Sequence, residues 1–301
     1  MKHIIGLLIS VILSINYSLA TKYALVIGIG NYPVESGWTR INGHKDPALV
    51  TEMLLVNGFE QGNITILIDQ QATCNNICKE FEKLIDKSLN GDFVYIHFSG
   101  HGQQITDLNG DEIKDGLDEA WVSYDALFSI REGEYEGEHH LVDDQINTYL
   151  NRIRKRVGDS GKIVVIADAC HSGTITRSVD GLCMRGTNSI FTISQIKNTI
   201  KRFLKIFKKT QSNIDQSHIL PPEDITQDWI FISACKDYQI NYEYQGRGSL
   251  TTALYQQKDS LSCMTVEALF KKVQRFMLNN INFSQTPQIE CPIETKTNSF
   301  L

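Results

Sequence analysis

Lys162-Ile163-Val164-Val165-Ile166-Ala167-Asp168-Ala169-Cys170-His171-Ser172-Gly173 decides how this chain folds. The apolar run from Lys162 to Ala167 is too short for a helix and closes in a glycine turn, so it reads as a buried strand. A second stretch has the same grammar: Phe93-Val94-Tyr95-Ile96-His97-Phe98-Ser99-Gly100-His101-Gly102. Neither run alternates with polar residues, as expected of strands covered on both faces.

Working outward, Lys22 to Ile29 reads as a first strand closed by Gly30-Asn31-Tyr32-Pro33, Ile64 to Ile68 as a second, and Trp229 to Ser233 as a fifth. Between them the spacing predicts helices over Pro47–Gly58, Thr73–Leu89, Asp143–Val157, Ser249–Tyr255 and Thr265–Asn279. Thr73 can cap its helix, with Ile77, Phe81, Leu84 and Ile85 on one face. Gly100 to Asp118 reads as a polar, acidic loop. Strands alternating with helices give an α/β domain with a mainly parallel sheet, and the sequence shows no internal repeats.

The chain has 301 residues, 42% hydrophobic and 21% charged, with a formal net charge of -6. This is the balance of a globular domain with a sizeable core. The acidic excess argues against nucleic acid as a partner, since phosphate binding needs a basic face.

Residues 1–20 stand apart: Lys2 and His3, an apolar run from Ile4 to Ile15, then Ser18-Leu19-Ala20 with small residues at a cleavage site. The stretch reads as a secretory signal peptide, too short to span a bilayer. The expectation is a mature domain over 21–301, secreted or periplasmic, monomeric and without a membrane span. Seven cysteines leave at least one free thiol if the rest pair internally. Cys74 and Cys78 share a helix face, but no His/Cys pair follows at zinc spacing, so they read as small buried side chains.

The segment 178–228 reads as a linker. Within it Ile196 to Lys209 carries six basic residues and no acid, on a helical apolar spacing. It reads as a solvated amphipathic helix, or as a basic membrane-surface or processing segment.

Open parallel sheets bind ligands beyond the carboxyl ends of their strands. Two strands end there in reactive groups, His101 and Cys170, each in a glycine turn that permits close approach. A thiol facing an imidazole is the arrangement of a cysteine nucleophile and its proton-transfer partner. The backbone N–H groups of Gly102 and Cys170 are candidate oxyanion donors. His171, adjacent to the nucleophile, reads as a wall residue.

Ser99-Gly-His-Gly102 with Asp168-Ala-Cys-His-Ser-Gly173 resembles the catalytic pair of metacaspases and related bacterial caspase-like peptidases. Tyr23 to Tyr32, Asn109 to Glu112, Asp115 to Glu119, Ile232 to Cys235 and Gly246 to Leu254 resemble further blocks of the family. The resemblance implies a caspase-like fold, a mostly parallel six-stranded sheet with helices on both faces. It also implies peptide-bond hydrolysis through a thioester acyl-enzyme, with no cofactor in the chemistry. Asp168 and Asp46 resemble the two acids of the metacaspase specificity pocket, and Ser99 a neutral wall. Two carboxylates would hold an arginine or lysine side chain and repel an aspartate, so the expected partners are proteins or peptides with basic residues. Where the family often has a cysteine before the second acid, this chain has His44 and Lys45. Asp118, Asp143 and Asp144 resemble acids that bind calcium in some metacaspases; the family's further acid falls near Arg177 here. Asp46 could also cap the helix at Pro47. The basic residues of 178–228 are candidate self-cleavage sites. The alternatives are a legumain- or clostripain-like peptidase, a transpeptidase, or an inactive peptide-binding scaffold.

Overall fold

A computed structural model of the chain describes residues 20–107, 116–131, 134–170, 183–187, 189–192, 228–236, 238–281 and 284–301. The expected signal peptide, the amphipathic segment 196–209 and His171 lie outside the described residues.

The strands are β1 (Lys22–Gly28), β2 (Ile64–Ile68), β3 (Phe93–Ser99), β4 (Gly102–Thr106), β5 (Leu117–Val122), β6 (His140–Val142), β7 (Lys162–Asp168), β8 (Ile230–Ser233), β9 (Glu243–Tyr244), β10 (Arg247–Gly248) and β11 (Gln288–Glu290). The helices are α1 (Asp46–Val56), α2 (Cys74–Lys87), α3 (Asp143–Val157), α4 (Ser249–Tyr255) and α5 (Val266–Asn280). The six-stranded sheet runs β11-β8-β7-β3-β1-β2. Its pairings are parallel except at the β11 edge, which runs antiparallel to β8.

Alternate residues of the central strands feed two cores. Val94, Ile96, Phe98, Ile163, Val165 and Ala167 pack toward α2 and α3. Phe93, Tyr95, Val164 and Ile166 pack with residues of α1, α4 and α5. The unalternating apolar runs thus reflect a sheet buried on both sides. Helix α2 starts where the sequence places it, with Thr73 Oγ1 accepting from the Asn76 N–H at 3.3 Å. Across the first core Phe81 of α2 stacks on Tyr149 of α3, ring centroids 4.8 Å apart. The structure shows no disulfide among the described residues, and Cys74 and Cys78 are buried as expected.

Two regions differ from the sequence reading. The stretch read as a loop from Gly100 contributes β4 and the start of β5, and with β6 these build an antiparallel three-stranded sheet. Its polar residues are consumed in ladder pairing and in links such as Gln103 Oε1 to His140 Nε2 at 2.9 Å. The sixth strand, β11, is only three residues long, too short for its alternation to stand out from the surrounding chain.

Register positions the site. Gly28 lies opposite Ser99, and Ser99 opposite Asp168, so β1, β3 and β7 end on one level. The order β2-β1-β3-β7-β8 reverses direction at β1/β3, and crevices form at such switch points, beyond the strand ends. Among the described residues no helix is long and apolar enough to cross a membrane.

Candidate active site

His101 and Cys170 each stand two residues beyond the Ser99–Asp168 row, on neighbouring strands. Adjacent strands are about 4.8 Å apart, so the register alone brings the two turns together. Both residues are buried.

Around His101 the chain builds an aromatic box. Trp38 stacks on the imidazole at 4.8 Å, and Tyr32 packs against it at 5.0 Å. The His101 backbone N–H donates to Tyr32 Oη at 3.0 Å, and that hydroxyl donates to the Val122 carbonyl. His101 Nε2 lies 2.9 Å from the Thr39 carbonyl. A carbonyl only accepts, so the proton sits on Nε2 and Nδ1 keeps its lone pair. Nδ1 is buried and has no hydrogen-bond partner among the described residues. Burial pushes the His101 pKa down to about 4, which keeps the ring neutral and able to take a proton at physiological pH.

Beside the dyad lies an acidic pocket. Asp168 is fully buried and its carboxylate is fully engaged. Oδ2 accepts from the Thr251 N–H and hydroxyl at 2.7 Å each, and Oδ1 from Asn241 Nδ2 at 2.8 Å. His97 Nε2 meets the same Thr251 hydroxyl at 3.1 Å. Asp46 enters from the first turn of α1. Its side chain turns into the pocket, accepting from the Ser99 hydroxyl and the Gly248 N–H. Gly248 has to be glycine, because a Cβ there would overlap the Asp168 carboxylate. The third acid, Glu243 on β9, is anchored by the backbone N–H of Asn42 at 2.6 Å and by its side-chain amide at 2.5 Å.

These three carboxylates surround Arg185, which is completely buried. Arg185 Nη1 lies 2.8 Å from Asp46, 3.7 Å from Asp168 and 2.5 Å from the Ser99 hydroxyl. Nε and Nη2 both donate to Glu243 Oε1, at 3.2 and 3.1 Å. Burial opposes the guanidinium charge, but the pull of Asp46, Asp168 and Glu243 outweighs it and raises the Arg185 pKa. Three acids exceed one cation, and burial together with Asp168 pushes the Asp46 pKa up despite Arg185.

The structure places His101, Cys170, Ser99, Asp46 and Asp168 at one end of β3 and β7. Cys170 N–H donates to the Arg185 carbonyl at 2.9 Å, and Gly102 pairs alongside, in a single parallel bridge to Gly186. Sequence reasoning missed Arg185, Glu243, Asn241 and Thr39. They are distant in the chain and sit in no periodic element, and only a count of charges against pocket neighbours could have flagged Glu243. Asp118 lies on β5, and Asp143 and Asp144 lie in the first turn of α3. Among the described residues no three His, Cys, Asp or Glu side chains gather as a metal site. The acids of the loop 108–115 and Arg177 lie outside the described residues.

A family profile described as "Caspase domain" matches residues 21–298. Metacaspase-1 of Plasmodium falciparum is 28% identical over 284 residues, spanning 88% of this chain and 39% of that protein. The chain thus spans less than half of that relative's length. A structural-genomics crystal structure from Geobacter sulfurreducens superposes with a TM-score of 0.62 at 22% identity, over 92% of this chain and 96% of that one. Caspase-1 from Spodoptera frugiperda superposes with a TM-score of 0.54 at 11% identity, over 90% of this chain and 86% of that one. Both likenesses speak to the fold.

Proposed function

The chain belongs to the caspase-domain family of cysteine peptidases, and from that premise we propose that it hydrolyses peptide bonds after arginine. The observation that carries this reading is a fully buried guanidinium held by three carboxylates beside the nucleophile, with the arginine's own carbonyl on the Cys170 N–H.

In this reading Cys170 Sγ attacks the carbonyl carbon of the residue whose side chain fills the pocket. His101 Nδ1 takes the thiol proton and passes it to the leaving amine, while Thr39 holds the ring by its other nitrogen. The Cys170 N–H stabilises the oxyanion, with the Gly102 backbone beside it. Water then attacks the thioester, with His101 as base, and releases the acid. Asp46, Asp168 and Glu243 select the substrate side chain, and a carboxylate there would meet three like charges.

Arginine is favoured over lysine. The guanidinium reaches Asp46 and Ser99 from one nitrogen and Glu243 from two others, a fork that a single ammonium cannot reproduce. Protein or peptide substrates follow from this. Export to the periplasm or beyond, through the segment 1–20, belongs to the same proposal.

The test is hydrolysis of fluorogenic peptides ending in arginine, lysine or aspartate, with and without added calcium. The reading requires the arginine peptide to be cut fastest and the aspartate peptide not at all. Cys170→Ala should abolish cleavage. Cys235→Ala should retain it, because that thiol is buried 3.4 Å from the Gln239 carbonyl, which makes it a packing group. Equal cutting of all three peptides, or survival of activity in Cys170→Ala, contradicts the proposal.

A further inference from the structure

The residue filling the pocket belongs to the chain itself, within the stretch that reads as a linker. Cys183, Met184 and Arg185 run antiparallel to Asn241, Tyr242 and Glu243. The Arg185 N–H donates to the Asn241 carbonyl at 2.9 Å and the Glu243 N–H to the Cys183 carbonyl at 3.0 Å, with Met184 bridged to Tyr242. This is how an extended peptide adds as a strand to an exposed edge. The side chain of Arg185 points into the acidic pocket, and its carbonyl accepts from the Cys170 N–H. The next residue, Gly186, presses on the nucleophile so closely that a Cβ there would overlap the Cys170 carbonyl oxygen and Sγ.

Four independent restraints thus place one peptide bond at the nucleophile: strand pairing, side-chain depth, oxyanion contact and the approach of Gly186. An ion pair that served stability alone would need only the second. Resting on the arginine-directed peptidase reading above, we propose that Arg185–Gly186 is a self-cleavage site, bound in the chain's own substrate cleft, and that the cleft requires glycine on the leaving side.

The step balances without any co-reactant besides water. Cys170 Sγ bonds to the Arg185 carbonyl carbon as the Arg185–Gly186 C–N bond breaks. The thiol proton passes through His101 to the Gly186 nitrogen, which becomes a new amino terminus. Water cleaves the thioester, leaving an Arg185 carboxylate and restoring the thiol. Holding the bond in place makes the reaction unimolecular, which favours cutting within one molecule over cutting between molecules. Until the segment leaves, no other arginine can enter the pocket.

The experiment incubates the full chain and reads intact mass and new amino termini. The proposal requires wild type to yield a fragment beginning Gly186-Thr187. Cys170→Ala should stay whole, both alone and when mixed with wild type. Gly186→Ala, which leaves the pocket acids and Arg185 in place, should slow the cut by about tenfold or more. A wild-type chain that cuts arginine peptides yet stays whole, or is cut only elsewhere, overturns the proposal while leaving the peptidase reading intact. Cleavage of Cys170→Ala at Arg185 by added wild type overturns its intramolecular form. No cleavage of the chain or of any arginine peptide overturns both readings.

Discussion

Arg185 brings five guanidinium donors into a pocket with an excess of acid, and the pairing at Glu243 decides what that pocket recognises. Asp46 and Ser99 contact only Nη1, which a lysine nitrogen could replace, whereas Glu243 takes Nε and Nη2 together. Glu243→Gln keeps the shape and removes the charge. Hydrogen bonds to charged groups contribute about 1.5–3 kcal/mol, so the ratio of kcat/KM for arginine over lysine peptides should fall by about 10- to 100-fold. An unchanged ratio would show that Glu243 plays no part in recognition. At this scale much of the site is legible in the sequence. His101 and Cys170 announce themselves by glycine turns at two strand ends, Asp168 by its place two residues before the nucleophile, and Asp46 by its place before Pro47. Glu243 and Arg185 do not, because their roles arise only when β9 and the 183–186 segment pack over the strand ends.

The elements divide in the same way. Long apolar runs and the periodic helices are readable because burial on two faces, or one, imposes a composition. The strands β4 to β6 are not, because an antiparallel sheet rich in Gln, Asp and Glu has a loop's composition. The α2–α3 layer shows what the readable pattern supports. Phe81 is fully buried against Tyr149 and belongs to the core beneath β3 and β7. Phe81→Ala should destabilise the fold by about 3–5 kcal/mol, measured as a lowered denaturant midpoint. The preference for arginine peptides should survive in the folded fraction, since the pocket lies at the strand ends and not in this layer. A midpoint unmoved by the substitution would mean that the helix pair is not packed as described.

At the scale of the whole molecule, folding buries three histidines as neutral rings among the described residues. Burial pushes His97 and His101 down to about 4 and His140 to about 3, from an ordinary value of 6.5. Between pH 6.5 and 4 the unfolded chain therefore binds more protons than the folded one. The stability contributed by these groups is complete above about pH 6.5 and is lost as pH falls toward 4. A histidine whose pKa falls by one on folding contributes about 1.4 kcal/mol, so Tm should drop clearly between pH 6.5 and 5, before ordinary carboxylates titrate. A flat Tm over that range would contradict neutral burial. The same architecture gathers β3, β7, α1, β9 and the 183–186 segment at the carboxyl ends of the central strands, where they form a cleft that reads arginine followed by glycine. The most direct test of that cleft is digestion of a proteome-derived peptide library, with every new terminus read by mass spectrometry. The account predicts cuts concentrated after arginine, few after lysine, none after aspartate, and glycine enriched on the leaving side. Cuts after aspartate, or cuts with no preference at either position, would contradict it.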